Sequence, residues 1–123
     1  MNDPAPLKIW NEYDRPHADL REFISRIEHA GELLRIPGAD WNLEMGTLAE
    51  AVNERANAPA VLFESITGYS HDFRTLSGST NSMRRLAITL GFPVPDHPLD
   101  VVRAYRDRMK VHKPLPPRTV RAG

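Results

Sequence analysis

The run of four consecutive apolar residues at 60–63, between Pro59 and Gly68, most constrains the fold of this chain. The interval between the proline and the glycine is too short for a helix, so the run predicts a buried strand. Shorter strands are predicted at 32–36 and 74–76. Segments with helical periodicity lie on both sides of the apolar run. This order predicts a small α/β (α+β) domain, in which short strands form a mixed sheet packed by three to four helices.

Two helices are predicted before the apolar run. Asp19 caps the first, with Glu22 three residues later as in a capping box, and Gly31 ends it. Asn42 is the expected cap of the second helix, which ends near Arg55. Each helix has one apolar face. The apolar residues are Leu20, Phe23, Ile24 and Ile27 in the first, and Met45, Leu48, Ala51 and Val52 in the second.

Two further helices are predicted after the run. The third begins at Ser79 or Thr80 and ends at Gly91, and Pro98 suits the first turn of the fourth. The third helix should bury Met83, Leu86, Ala87 and Leu90. The fourth should bury Leu99, Val102, Tyr105 and Met109, and its exposed side is basic, with Arg103, Arg106, Arg108 and Lys110.

The domain that we expect covers residues 18–110. Residues 1–17 contain Pro4, Pro6 and Pro16 and predict an extended arm, and residues 111–123 predict a proline-rich linker. The 16 basic and 16 acidic side chains cancel, which argues against nucleic-acid and membrane partners. No cysteine, signal peptide or membrane-length apolar run is present, so the expected location is the cytoplasm.

Few residues predict chemistry. No two of the five histidines have the spacing of a local metal pair. The strand-end carboxylate of Glu64 could face a cleft, although a solvated position is the more common case. A weak anion site is conceivable at the start of the third helix, from Ser79, Thr80, Arg84 and Arg85. A plain helix cap followed by two solvent-facing arginines explains the same residues and is the favoured interpretation.

Six short segments follow one another in a specific order and spacing. They are a helix start at 19–24, a Gly-Glu-Leu turn and strand at 31–36, Leu-Glu-Met-Gly at 43–46, Pro-Ala-Val-Leu-Phe-Glu at 59–64 followed by Gly68-Tyr69, an Arg-Leu-Ala helix and its exit at 85–93, and Pro-Leu-Pro-Pro-Arg-Thr-Val at 114–120. From about Asp19 to its end, the chain therefore resembles the N-terminal domain of the UbiD family of decarboxylases.

The resemblance implies a carboxy-lyase that acts reversibly and non-oxidatively on aromatic or α,β-unsaturated carboxylic acids. The family's cofactor is prenylated FMN, held with a divalent metal and often potassium. Its flavin pocket, metal ligands and Glu-Arg-Glu network all follow the segment that matches 114–120. The resemblance therefore assigns no catalytic, cofactor-binding or metal-binding residue to this chain, which we expect to be inactive alone.

The implied partners are the flavin-binding and C-terminal domains of the parent enzyme, and an exposed apolar patch should mark where they pack. Two alternatives remain open at this point. The chain could be a free-standing module that binds a small carboxylate or regulates another protein, using the start of the third helix. It could also be an adaptor that works through its proline-rich tail.

Overall fold

The computed structural model describes residues 16–120. The extended arm predicted at 1–17 therefore lies outside the described residues except for its last two positions, and the final three residues of the predicted linker lie outside as well. Within 16–120 the chain forms four helices and three strands. In chain order they are α1 (Leu20–His29), β1 (Leu33–Pro37), α2 (Glu44–Asn53), β2 (Ala60–Glu64), β3 (Thr75–Ser77), α3 (Met83–Leu90) and α4 (Pro98–Val111).

The three strands form one mixed sheet in the order β1-β2-β3. β1 pairs in parallel with β2, with Leu33 opposite Ala60, and β2 pairs in antiparallel fashion with β3, with Leu62 opposite Leu76. The predicted fold class, a small mixed sheet packed by helices, is confirmed. The predicted buried strand is confirmed too, because the four apolar residues of the 60–63 run form β2 and are all buried.

Successive side chains of β2 point to opposite faces of the sheet, and helices cover both faces. Ala60 packs with Phe23 and Ile27 of α1 and with Ile88 of α3. The opposite face carries Val61 and Phe63, which pack with Ala39, Val52 and Ile66 on the side of α2. A third apolar cluster joins α3 to α4 and contains Ala87, Phe92, Val101 and Ala104. Thus α4 packs mainly on another helix.

The first helix begins as its sequence predicts. The Asp19 carboxylate accepts a hydrogen bond from the amide of Glu22 at 2.9 Å, and the Glu22 carboxylate accepts one from the amide of Ala18 at 2.7 Å. Both bonds satisfy amides that a helix start leaves without partners. Three of the four predicted apolar residues are buried, but Leu20, in the first turn, is exposed.

The start of α2 differs from the prediction. Its N-cap is Leu43, at φ 66°, and no side chain caps the helix, so the assignment of Asn42 as the cap was wrong. Instead, Asp40 connects the preceding loop to the first turn of α2. Its amide donates to the Glu44 carboxylate, and its carbonyl accepts from the amide of Met45. The predicted stripe was also wrong at one position. Ala51 is exposed, and Ala49 packs against the core with Met45 and Leu48.

The third helix begins later than Ser79 or Thr80. Its N-cap is Ser82, whose hydroxyl accepts a hydrogen bond from the amide of Arg85 at 3.1 Å. Four consecutive residues at 79–82 could each cap a helix, so the sequence alone does not choose among them. The predicted end is confirmed, because Gly91 adopts the left-handed conformation at φ 67° that favours glycine.

The prediction for α4 was correct at its start and wrong about its buried side. Pro98 occupies the first turn, and the His97 ring accepts a hydrogen bond from the amide of Leu99. The residues that contact α3 are Val101 and Ala104, which are small enough to let the two helices approach closely. The four residues predicted to be buried remain about half exposed: Leu99, Val102, Tyr105 and Met109.

Candidate functional site

A carboxylate at the start of β1 holds two consecutive arginines of α3. One oxygen of Glu32 lies 2.8 Å from Nη1 of Arg85, and the other lies 2.7 Å from Nε of Arg84. Arg85 also donates to the carbonyl oxygens of Ala58 and Gly78, each at 2.9 Å. Its side chain is fully buried, whereas that of Arg84 is 51% exposed. The Arg85 guanidinium therefore joins α3 to the segments before β1, before β2 and after β3.

The four residues of the predicted anion site occupy different environments. Ser79 and Thr80 lie in the turn before α3, and Ser82 already accepts the Arg85 amide at the helix start. The favoured interpretation treated both arginines as solvent-facing, and for Arg85 that was wrong. Because Glu32 pairs with both guanidinium groups, an incoming anion would have to compete with this carboxylate. The anion site stays a prediction.

A cleft of about 680 Å³ opens beside these residues, between the end of α2 and the starts of α3 and α4. Its charged lining is balanced, with Arg55 and Arg84 set against Glu32 and Asp96. Asn53, Asn57, Asn81 and Ser82 add polar groups around them. The cleft can hold a small polar molecule, but its two carboxylates make it a mixed environment and not a strongly cationic one.

A second charged network lies on the surface over α1 and β1. Arg35 donates two hydrogen bonds to the Glu28 carboxylate, at 2.6 and 2.9 Å, and a third to Glu64 at 2.6 Å. The hydrogen bonds from Arg35 lower the pKa of Glu28, and the same bonds, with that to Glu64, raise the pKa of Arg35. The strand-end carboxylate of Glu64 is thus an acceptor in an ion-pair network that also approaches Arg74 at 3.7 Å.

The outward side of α4 carries an apolar surface, which we call the α4 stripe. Its four members are about half exposed, between 47% and 52%. They are Leu99, Val102, Tyr105 and Met109. Arg108, predicted on the basic side, instead lies over the Phe92 ring at 3.9 Å and donates to the carbonyl of Leu90. Exposed apolar residues gathered on one helix side are typical of an interaction surface.

Two loops at the carboxyl ends of the parallel strands expose aromatic side chains. The loop after β1 exposes Trp41, and the loop after β2 exposes Tyr69 and Phe73, whose ring centroids lie 6.1 Å apart. The loops are tied together through Thr67, whose amide donates to the carbonyl of Ala39 at 3.0 Å. Sequence reasoning missed this surface. The signal was available, since these aromatic residues belong to no helical or strand period.

The described residues do not fit the divalent metal that the resemblance implies. Across 16–120, no three histidine or acidic side chains are grouped as a metal ion would require. In the cleft Glu32 is paired with Arg84, and in the surface network Arg35 is paired with Glu64. We therefore assign no step of a reaction to residues of this chain. In the same part of the chain, no helix combines the length and the apolar composition needed to cross a membrane.

Comparisons with known proteins agree with one another. The sequence model of the 3-octaprenyl-4-hydroxybenzoate carboxy-lyase N-terminal domain matches residues 24–105. The vanillic acid decarboxylase of Sedimentibacter hydroxybenzoicus is similar in an open form, with a TM-score of 0.70 and 26% identity over 78% of this chain and 21% of that chain. Its closed form gives 0.68 and 26% over 87% and 22%. The chain thus spans about a fifth of the length of the chains it matches.

Proposed function

This chain belongs to the family of 3-octaprenyl-4-hydroxybenzoate carboxy-lyase N-terminal domains, and we propose that it is the N-terminal structural domain of a UbiD-type decarboxylase. The observation that carries the proposal is the family match over residues 24–105. The similarity to a much longer decarboxylase chain, of which the match covers 21%, supports it. In this proposal the domain packs on the flavin-binding and C-terminal parts of the parent enzyme and helps to frame them.

The parent enzyme would act in the cytoplasm on an aromatic or α,β-unsaturated carboxylic acid, reversibly and without net oxidation. Prenylated FMN, with a divalent metal and potassium, would supply the chemistry from outside the residues described here, by accepting the electron pair that loss of carbon dioxide leaves behind. The role of this chain is mechanical. The contacts of buried Arg85 and the two-sided core support a rigid body on which the larger part of an enzyme can pack.

A chimeric decarboxylase tests this proposal. The vanillic acid decarboxylase chain is produced without the segment that aligns with this chain, and in a second version the whole 123-residue chain replaces that segment. We expect the isolated chain to release no carbon dioxide from vanillate and to retain no flavin. We expect the chimera to recover activity that the shortened enzyme lacks, because a tethered domain is held at high effective concentration.

The matched control joins an unrelated folded domain of similar size to the shortened enzyme. Recovery with this chain and not with the control would support a specific packing role. A chimera that is no more active than the shortened enzyme would contradict the proposal. Carbon dioxide release or flavin retention by the isolated chain would also contradict it, because the chemistry would then lie within these residues.

The cleft beside Glu32 favours a second candidate, a module that binds a small carboxylate. Arg55 and the half-exposed Arg84 line this cleft of about 680 Å³. Calorimetric titration of the isolated chain with benzoate tests it, with Arg84→Ala as the site variant and Arg103→Ala, on exposed α4, as the control. Binding that is lost only in Arg84→Ala would support the module. Absence of binding to the native chain would remove it.

A further inference from the structure

The apolar surface of α4 is wider than its contact with the rest of the domain. Val101 and Ala104 fill the contact with α3 and are almost completely buried. The α4 stripe lies directly beside them on the helix surface, because one residue corresponds to a rotation of about 100°. On a surface helix, the residues beside the buried contact are normally polar. Here the apolar surface continues past α3 with nothing in residues 16–120 to cover it.

Ion pairs within the helix lie along another side of α4. Arg103 pairs with Asp100 at 3.0 Å, and both Arg106 and Lys110 pair with Asp107 at 3.2 Å. These charges are paired with neighbours on the same helix. The stripe is therefore an uncharged band between a buried contact and a row of paired charges. A partner for such a band is apolar, not an acidic or basic surface.

The size of the stripe favours a tethered partner. Four half-exposed side chains present a few hundred Å² at most, whereas stable complexes between separate proteins bury about 800 Å² on each partner. Neither a second copy of the chain nor a separate protein would be held by the stripe alone. A partner that is covalently connected needs far less area, because its effective concentration is high.

The segment after α4 supplies such a connection. Residues 112–120 belong to no helix or strand and are exposed, and they begin at the end of the helix that carries Met109. Nine extended residues reach roughly 30 Å, whereas the stripe from Leu99 to Met109 is about 15 Å long. A domain that follows this segment can therefore fold back onto any part of the stripe. The matched decarboxylase chains have about four-fifths of their length outside the matching region.

We propose that the α4 stripe is the surface against which the flavin-binding domain of the parent decarboxylase packs. The inference rests on the proposed function and adds to it the face, the residues and the partner. Apolar side chains of the flavin-binding domain cover Val102 and Met109, while Arg103 on the charged side of α4 stays in solvent.

Cysteine footprinting tests the inference without disturbing the fold. The chain has no cysteine, so Val102→Cys and Arg103→Cys each introduce one reporter into this part of the protein. The two native side chains are similarly exposed, at 52% and 60%. In the isolated chain, N-ethylmaleimide should alkylate both cysteines at similar rates. In the chimera, mass spectrometry of the labelled peptides should show Val102→Cys alkylated about tenfold more slowly and Arg103→Cys unchanged.

Each other outcome has a distinct meaning. Equal alkylation of the two cysteines in an active chimera would overturn the α4 inference and leave the proposed function standing. Protection of Val102→Cys in the isolated chain that grows with protein concentration would identify a second copy as the occupant and overturn it as well. An inactive chimera in which both cysteines react freely would overturn the proposed function and the inference with it.

Discussion

Replacement of Arg85 by methionine should destabilise this domain far more than the same change at Arg84. Methionine keeps most of the volume of the arginine but removes hydrogen bonds to the carbonyls of Ala58 and Gly78 and to the Glu32 carboxylate. A buried carbonyl left without a partner costs about 1–3 kcal/mol. Loss of one member of a buried ion pair costs about 3–5 kcal/mol when the other is left uncompensated.

The expected cost lies near the lower end of those ranges. Glu32 keeps its bond to Arg84 and is 14% exposed. Its charge therefore remains partly compensated when Arg85 is replaced. Two carbonyls at about 1 kcal/mol each and a weakened carboxylate contact give a loss of about 3 kcal/mol for Arg85→Met. Arg84→Met breaks a pair at a half-exposed side chain and should cost less than about 1 kcal/mol.

Urea denaturation followed by circular dichroism measures both values in the isolated chain. The two arginines are adjacent in sequence and bind the two oxygens of one carboxylate, so the comparison isolates burial and the carbonyl contacts. Equal losses for the two variants would refute the reasoning, because exposure would then not govern the strength of these pairs. A loss below about 1 kcal/mol for Arg85→Met would refute it too.

Two more predictions concern the surface network and the core. Arg35 lowers the pKa of Glu28 below 4.5, so this pair stabilises the fold above that pH and its contribution disappears as the pH falls through the lowered value. Arg35→Gln should therefore shrink the loss of unfolding free energy between about pH 7 and about pH 3, and an unchanged acid loss would contradict the assignment. Phe63→Ala, in the buried central strand, should cost about 3–5 kcal/mol by the same urea assay. Phe73→Ala, on an exposed loop, should stay within about 0.5 kcal/mol, and similar losses at the two positions would contradict the buried core.

Local patterns allowed most of the helices and strands to be predicted. The Asp19 cap, Pro98 in the first turn of α4 and the apolar period of each helix all act within a few residues, so they can be predicted directly from the sequence. The start of α3 could not be predicted from the sequence, since each of the residues 79–82 can cap a helix. In the structure Ser82 is the N-cap, and its hydroxyl accepts the amide of the buried Arg85.

The buried side of α4 could not be predicted from periodicity. Two apolar lines run along this helix, one with Val101 and Ala104 and one with the larger residues of the α4 stripe. Hydrophobicity alone favours burial of the larger residues. The small pair lies inside because close approach to Ala87 of α3 requires small side chains, and that requirement comes from a helix distant in sequence. The candidate docking surface was therefore visible in the sequence but was assigned to the core.

Three of the six motifs behind the family resemblance meet at one place in the fold. Arg85 opens the Arg-Leu-Ala motif, and its guanidinium bonds to Glu32 of the Gly-Glu-Leu motif and to the carbonyl of Ala58, next to the Pro-Ala strand. The carbonyl of Glu32 also accepts the amide of Ala60 at 2.8 Å. Three segments that are separated in sequence thus form one set of contacts around the buried Arg85 guanidinium. Residues of these three segments therefore help to hold the fold together. Changes at these contacts should therefore alter the stability of the domain.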